Sequence, residues 1–193
     1  MNPRIHIIGG PGSGKSYVAA KLAVRFAVPA CDLDNLFWDN ATSRYGIRAD
    51  PAERDRKLAA VVSGDGWISE GVYYEWLGPS FDAADYIIAL TPPIWIRHWR
   101  VIKRFWMRKF GGNQSKRESV LDLLRLLRWS HAYDRRNLTK ARKFVTQRGR
   151  ELVPCPTVDE LLVKIDSTSC AGSLSASCSE SKGQSKALRG SHH

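Results

Sequence analysis

This sequence of 193 residues contains no hydrophobic run long enough to cross a bilayer, which argues against a transmembrane segment. It has no leader pattern before its first β-branched run, so we expect a cytoplasmic protein with no membrane partner. Cysteine is scarce, with no C-x-x-C pair and no histidine cluster beside it, which argues against a disulfide framework or a zinc site. We expect reduced thiols at Cys31, Cys155, Cys170 and Cys178.

Acidic residues are almost missing from one stretch of the chain. Residues 95–150 hold 17 Lys or Arg against three acids, whereas the rest of the chain holds 13 bases and 16 acids. A basic segment of this kind meets nucleotide phosphates, nucleic acid or an acidic membrane surface, unless it is simply a solvated face. The charge therefore indicates an anionic partner without naming it.

The most informative segment, called here the glycine-rich loop, is residues 9–16, G-G-P-G-S-G-K-S. It matches the phosphate-binding template G-x-x-x-x-G-K-[S/T], in which backbone N–H groups cradle phosphate oxygens. Lys15 is expected to bridge the β- and γ-phosphates, and the Ser16 hydroxyl to ligate Mg²⁺. A β-branched run at residues 5–8 and a helical pattern at residues 17–26 supply the strand–loop–helix context. The predicted ATP–Mg²⁺ site comprises Gly9, Gly10, Pro11, Gly12, Ser13, Gly14, Lys15, Ser16 and Tyr17.

Two motifs of other nucleotide-binding proteins are absent. The predicted strand at residues 86–90 ends in Thr91-Pro92, where motors and large ATPases carry a Mg²⁺-binding acid, and Asp85 lies at its other end. No N-K-x-D motif is present to read a guanine base. These absences disfavour a motor, a large ATPase and a GTPase. They favour a small kinase, in which water and phosphate supply most Mg²⁺ ligands.

Two carboxylates follow the second predicted strand. Asp32 and Asp34 are two residues apart, so an extended chain points both toward the same side. Ligands of open α/β sheets bind at the carboxyl ends of strands, so both acids are predicted to face the glycine-rich loop. Asp32, with Ser16, is then a candidate Mg²⁺ ligand, and Asp34 the catalytic group that holds the acceptor hydroxyl. The alternative is that both are surface turn residues.

A third set of candidates is basic. Arginines recur every three or four residues on one predicted helical face, and a second pair follows on a later helix. A closing lid of about residues 104–136 would bring such groups to the phosphates, stabilise the transferred phosphoryl and expel water. The alternative is a solvated basic helix. The face carries Arg97, Arg100, Arg104 and Arg108, and the later pair is Arg135 and Arg136.

The aromatic residues within the basic segment admit two interpretations. Interleaved bases and aromatics bind single-stranded nucleic acid by stacking, but aromatics at helical spacing are more often packing residues, which we favour here. They are Trp95, Trp99, Phe105, Trp106 and Trp129. Separately, residues 70–74 follow the third predicted strand, where Glu70, Gly71 and Tyr73 are candidate acceptor contacts or a plain strand-end turn.

Strands and helices alternate along the chain, which predicts a parallel sheet in a three-layer α/β fold. Strands are expected near residues 4–8, 29–32, 67–69, 86–90 and 151–153. Helices are expected near residues 14–27, 50–62, 93–110 and 157–165, and another helix is expected to begin at residues 115–118. Capping boxes are predicted at residues 115–118 and 157–160. The domain should span residues 1–166. Residues 167–193 form a Ser-rich tail predicted to be disordered, whose end resembles the start of a His tag.

At the level of whole motifs, the chain resembles the adenylate-kinase-like small P-loop kinases, and within them the bacterial family called topology modulation proteins. The matching pieces are I-H-I-I-G-G-P-G-S-G-K-S, D-L-D-N-L-F-W, W-I-S-E-G-V-Y, A-D-Y-I-I-A-L-T-P-P, W-R-V-I-K-R and W-S-H-A-Y-D-R-R-N. The D-x-D pair also resembles shikimate and gluconate kinases. The chain departs from the family in having E-G-V-Y instead of D-G-N-Y and in lacking an R-P-D run in the lid.

This resemblance implies a sheet in the order 2-3-1-4-5, a mobile helical lid and the use of ATP with Mg²⁺. It implies that Asp34 lies on the acceptor side and that Arg104, Arg108, Arg135 and Arg136 lie near the phosphates. Sequence and resemblance together predict an ATP-dependent kinase, nucleoside-monophosphate-kinase-like, acting on a small molecule or nucleotide as a monomer or homodimer. The alternative function is a nucleotide-gated nucleic-acid-binding protein that uses residues 95–150.

Overall fold

A computed structural model describes residues 2–39, 47–110, 119–157 and 160. The chain divides into two units, Met1–Pro156 and Thr157–His193, and every helix and strand named below belongs to the first. Within the described residues, no helix is both long and apolar enough to cross a membrane. The predicted Ser-rich tail lies outside the described residues.

Five parallel strands form the sheet in the order β2-β3-β1-β4-β5, which confirms the predicted topology. The fifth strand was expected at residues 151–153 but begins and ends two residues later, since Cys155 is buried against β4 whereas Glu151 is exposed. The strands are β1 (Arg4–Ile8), β2 (Ala30–Asp32), β3 (Trp67–Gly71), β4 (Tyr86–Leu90) and β5 (Val153–Cys155).

The helices flank this sheet. The predicted helices near residues 14–27, 50–62 and 93–110 are confirmed. The helices Asp34–Phe37, Gly78–Ala83 and Thr139–Gln147 were not predicted. The helices are α1 (Lys15–Phe26), α2 (Asp34–Phe37), α3 (Pro51–Val62), α4 (Gly78–Ala83), α5 (Ile94–Phe110), α6 (Val120–Tyr133) and α7 (Thr139–Gln147), with a π-helical turn (Asp134–Leu138) between the last two.

Local capping signals explain several helix boundaries. The Asp50 side chain accepts hydrogen bonds from the backbone N–H groups of Ala52 and Glu53, so α3 begins as predicted. Helix α6 begins after a capping box formed by Ser119 and Asp122, whereas the predicted box at residues 115–118 and the glycines at 111–112 lie outside the described residues.

One half of the last predicted capping box is present. The backbone N–H of Glu160 donates to Thr157 Oγ1 at 3.2 Å, as a helix start there requires. The rest of that predicted helix lies outside the described residues. Within the described residues, Cys31 and Cys155 form no disulfide bond, and the other two cysteines lie outside that part of the chain.

The apolar stripe of α5 is exposed, which corrects the prediction that its aromatics pack in the core. Trp95 is 69% exposed, Trp99 60% and Trp106 49%, while the buried face of the helix carries Arg97 and Phe105. The physical reason is that the opposite face of α5 contacts the glycine-rich loop, whose backbone carbonyls require hydrogen-bond donors. Trp129 is 39% exposed, and only Phe105 is packed as expected.

The centre of β1 carries a buried histidine. His6 is fully buried, with Nδ1 2.8 Å from Ser80 Oγ and 3.0 Å from Ser69 Oγ, and its ring packs against Phe81 of α4. Alternation along the strand turns Ile5 toward the opposite face of the sheet. Burial lowers the pKa of His6 from 6.5 to about 3, so the ring is neutral at physiological pH.

This histidine predicts an acid-sensitive fold. The unfolded chain binds a proton at His6 near pH 6.5, whereas the folded chain binds it only near pH 3, so stability falls as the pH falls through that window. From pH 7 to pH 5 this loss amounts to about 2 kcal/mol of unfolding free energy. Urea unfolding at the two pH values should show that much less pH dependence in His6→Asn. The exposed-site variant His131→Asn should keep the wild-type dependence, and parallel curves for His6→Asn would contradict the assignment.

Candidate active site

The glycine-rich loop joins β1 to α1 in a conformation open to an anion. Gly12 and Gly14 have φ values of 78° and 95°, in the left-handed region that glycine adopts without strain. Within the described residues no side chain caps the N-terminus of α1, and its first turn holds no acid. The first-turn N–H groups and the positive end of the helix dipole are therefore available to phosphate oxygens.

Two arginines of α5, Arg97 and Arg100, contact the backbone of the glycine-rich loop. Arg100 Nη1 donates to the carbonyl oxygens of Ser13 at 3.0 Å and Gly12 at 3.4 Å. A Cβ atom at Gly10 would collide with the Arg97 guanidinium, and one at Gly12 with the Arg97 carbonyl. Glycine is thus required at both positions for close packing of α5 as well as for phosphate access.

Arg97 is the centre of a buried network that reaches the π-helical turn. Its Nη1 donates to Asp134 Oδ2 at 2.7 Å, and its Nη2 to the Ser130 carbonyl at 2.5 Å and to Ser130 Oγ at 3.1 Å. Ser130 Oγ in turn donates to the Pro11 carbonyl of the loop at 3.1 Å. Three elements, the loop, α5 and the end of α6, are therefore held in one hydrogen-bonded arrangement.

Lys15 faces three carboxylates. Its Nζ donates to the Gly10 carbonyl at 3.5 Å, within the same loop. Burial lowers the pKa of Lys15, and the negative charges of Glu70, Asp34 and Asp32 act against that shift. The ammonium is thereby placed between the loop and the acids, where it can neutralise charge on a phosphoryl group passing between them.

Glu70 is a buried acid of β3 that lies beside the glycine-rich loop, whereas β4 ends without an acid. It lies near the carboxyl end of β3, in register with Ile7 of β1, and is 5% exposed. Ser16 Oγ donates to Glu70 Oε1 at 2.6 Å. Burial raises the pKa of Glu70, and the charge of Lys15 opposes this. From the sequence, a strand-end acid of the kind found in motors and large ATPases was sought only at the end of β4. The structure has an acid beside the glycine-rich loop on β3.

The two aspartates after β2 are held in distinct ways. Asp32 Oδ1 accepts from the backbone N–H of Asp34 at 2.9 Å, and burial raises the pKa of Asp32. Tyr73 donates its hydroxyl to Asp34 Oδ1 at 2.6 Å. Burial, and then the bond to Asp34, raise the pKa of Tyr73, so the phenol keeps its proton and orients the carboxylate.

These groups line one cavity of about 690 Å³. Of the predicted basic residues, Arg104 and Arg108 line it, whereas Arg135 and Arg136 are exposed on the π-helical turn and are not among its lining residues. Gly71 does not line it either, since the space above its Cα is filled by Leu33 at 3.0 Å. The predicted site residues around the cavity are Pro11, Gly12, Gly14, Lys15, Ser16, Tyr17, Asp32, Asp34, Glu70 and Tyr73.

Comparison with known proteins identifies the fold of this chain but not its family. No family model matches the chain. Uncharacterized protein YqaC of Bacillus subtilis strain 168 is 24% identical over 164 residues, which cover 82% of this chain and 88% of that protein. A shikimate kinase from Acinetobacter baumannii, solved in complex with shikimate, is 16% identical with a TM-score of 0.50 and covers 89% of this chain and 95% of its own. A gluconokinase from Sinorhizobium meliloti 1021 is 16% identical with a TM-score of 0.44, covering 82% and 86%.

The chain has the α/β P-loop fold. The strand order and the structural match agree on this, and the glycine-rich loop stands where that fold binds phosphate. The narrower resemblance to topology modulation proteins stays a prediction.

A second cavity of about 630 Å³ adjoins the first and shares Trp38, Val72, Tyr73 and Trp129 with it. Aromatic rings form one wall, with Phe37 and Tyr73 stacked at 4.3 Å. The bases Arg48, Arg54 and Lys140 stand among them, and Arg54 lies over the Trp76 ring at 4.7 Å. This cavity lies directly beside the one that the glycine-rich loop lines.

The donor set of this P-loop site suits Mg²⁺ bound together with a nucleotide. Among residues 2–39, 47–110, 119–157 and 160, no cluster of three or more His, Cys, Asp or Glu side chains is arranged to hold a metal alone. Ser16 and the nearby acids offer hydroxyl and carboxylate oxygens, and Mg²⁺ commonly takes one or two such ligands beside phosphate and water. Burial raises the pKa values of Asp32 and Glu70, and the neighbouring carboxylates raise them further, so a divalent cation placed among these acids would favour their ionised forms.

Proposed function

We propose that the protein is an ATP-dependent kinase that phosphorylates a hydroxyl group of a small acceptor. The observation that carries this proposal is the cavity in which the uncapped N-terminus of α1 and Lys15 face the carboxylates Asp34 and Glu70. An anion-binding end opposite a carboxylate end is what in-line phosphoryl transfer requires. Because ATP is its donor, we expect the enzyme to act in the cytoplasm.

Each residue of the site has a task in this mechanism. The acceptor oxygen attacks the γ-phosphorus, the bond from that phosphorus to the β–γ bridging oxygen breaks, and ADP leaves. Asp34, oriented by the Tyr73 hydroxyl, accepts the proton of the attacking hydroxyl group. Lys15 and Arg104 stabilise the negative charge that the moving group carries.

The metal ion would be held on the loop side of the cavity. Ser16 and Glu70, which are already hydrogen-bonded to each other, would be its protein ligands, with Asp32 acting through water. Mg²⁺ supplies charge neutralisation on the β- and γ-phosphate oxygens. Ser16 and Asp32 are the Mg²⁺ ligands predicted from the sequence, and we add Glu70 to the proposal because its carboxylate contacts Ser16.

The chemistry of the second cavity limits the acceptor. Stacked aromatic rings favour a ligand with a planar or apolar face. The three bases Arg48, Arg54 and Lys140 outnumber Glu75, the one acid among the residues that line the cavity, and favour an anionic group. A nucleoside monophosphate or a ring-containing carboxylate with a hydroxyl group satisfies both, whereas an uncharged linear polyol satisfies neither. Nucleic acid is less well suited as the main ligand, because Arg97 and Arg100 of the basic segment bond to groups of the protein itself.

An acceptor screen tests this proposal. The protein with ATP and Mg²⁺ is incubated with nucleoside monophosphates, ring carboxylates and uncharged polyols, and ADP release is measured. We expect release to depend on an anionic acceptor and to fall at least about 100-fold in Asp34→Asn, since general-base catalysis contributes this much. Asp65→Asn, at an exposed turn, is the control and should keep full activity. Acceptor-independent hydrolysis with every compound would refute the kinase.

A further inference from the structure

Helix α5 carries an exposed apolar stripe that the proposed kinase site does not use. Its members recur at helical spacing and point away from the glycine-rich loop, because Arg97, Val101 and Phe105 form the buried face. The stripe is defined here as Trp95, Trp99, Ile102, Trp106 and Phe110. Large contiguous apolar patches are rarely exposed on globular proteins, and those that are exposed usually mark a binding surface.

Basic residues border this stripe on both sides. Lys103 Nζ lies 5.0 Å from the centre of the Trp99 ring, and Lys109 Nζ lies 5.8 Å from that of Trp106. The 17 residues of the helix include no acid, so no residue of the helix itself offsets the charge of these two lysines. Large aromatic side chains flanked by lysines are the pattern of helices that lie in the interface of an anionic bilayer.

We propose that this stripe docks the protein on an anionic lipid surface. The tryptophans enter the headgroup region, and Lys103 and Lys109 contact lipid phosphates. The sequence analysis expected no membrane partner because no segment can span a bilayer, but a helix lying on the surface needs only one apolar face. The opposite face of α5 still supports the glycine-rich loop, so docking leaves the proposed active site in place.

Charge and side-chain type favour lipid over two other occupants. A second copy would bring together two segments that each hold 17 bases and three acids, which repel each other. Single-stranded nucleic acid needs free ring faces for stacking. Here Trp106 and Phe110 stack on each other at 5.2 Å, lysines lie over Trp99 and Trp106, and the aliphatic Ile102 offers no ring.

Sedimentation with vesicles tests the proposal on the full chain. The protein should bind vesicles of phosphatidylcholine with phosphatidylglycerol, with a blue shift of tryptophan emission, and should bind pure phosphatidylcholine much more weakly. Lys103→Glu with Lys109→Glu should lower partitioning at least about tenfold, since each base near the surface contributes to lipid binding. Trp99→Ser with Trp106→Ser should lower it as much.

A matched control keeps the test specific. Arg142→Glu with Lys143→Glu makes the same change in net charge on the exposed side of α7, and should bind within about twofold of the wild type. Equal binding by all variants, or no vesicle binding by a folded wild type, overturns the proposal. If vesicles do not bind, two other results also overturn the proposal. The first is binding of a poly-dT oligonucleotide, and the second is a dimer in sedimentation velocity, when Trp99→Ser with Trp106→Ser abolishes the association in question.

Discussion

Replacing Lys15 by alanine should lower kcat/KM for phosphoryl transfer at least about 100-fold to 1000-fold, the loss expected for one pre-organised charge at the transferred group. The reason is positional. Lys15 lies between the glycine-rich loop and Glu70, Asp34 and Asp32, and in its absence a phosphoryl group approaching those acids meets uncompensated negative charge. Initial rates of ADP formation over a range of ATP concentrations, at saturating acceptor, measure the loss in kcat/KM for ATP.

The control for this variant is Lys57→Ala. Lys57 lies on α3, half exposed, in a pair with Glu53 at 2.7 Å, so its removal changes the same net charge away from the cavity. It should leave the rate unchanged. Both variants should show the wild-type circular dichroism spectrum. Full turnover by a folded Lys15→Ala protein would remove the proposed mechanism, whatever the acceptor proves to be.

Elements with strong local signals could be predicted from the sequence. The β-branched run before the glycine-rich loop became β1, and the Asp50-Pro51 start placed α3 correctly, because caps and strand runs act over a few neighbouring residues. The loop itself, and the presence of Asp32 and Asp34 around the same cavity, follow from the rule that ligands bind at the carboxyl ends of parallel strands.

Features that depend on distant partners could not be predicted. Glu70 was read as an acceptor contact, since only the pairing of β3 with β1 shows that its carboxylate meets Ser16. The apolar stripe of α5 was read as core because helical periodicity reports which residues share a face and not what covers that face. Arg97 is predicted from the sequence only as a member of a basic helical face, and its burial depends on Asp134, 37 positions along the chain.

The burial of Arg97 leads to the second large expected effect, which is on stability. Arg97→Met should lower the free energy of unfolding by about 3 kcal/mol, because it leaves the Asp134 charge without its partner and removes a hydrogen bond to the Ser130 carbonyl. We take the lower end of the usual range because the Asp134 side chain is 41% exposed, and water screens it. Urea unfolding at pH 7 measures the change.

Two further variants distinguish a buried pair from a general effect of charge. Arg125→Met removes one partner of the exposed Arg125–Asp122 pair, 79% and 53% exposed, and should change the free energy of unfolding far less than Arg97→Met, because water and salt screen exposed charges. Arg97→Met with Asp134→Leu removes both buried partners and should recover part of the loss, since no unpaired charge remains. A loss in Arg97→Met no larger than in Arg125→Met would contradict the network.

The same network predicts a kinetic effect if it holds the glycine-rich loop. Arg97→Lys keeps the positive charge but loses the contact through two guanidinium nitrogens. It should raise KM for ATP more than it lowers kcat, because it loosens the loop without altering Lys15 or Asp34.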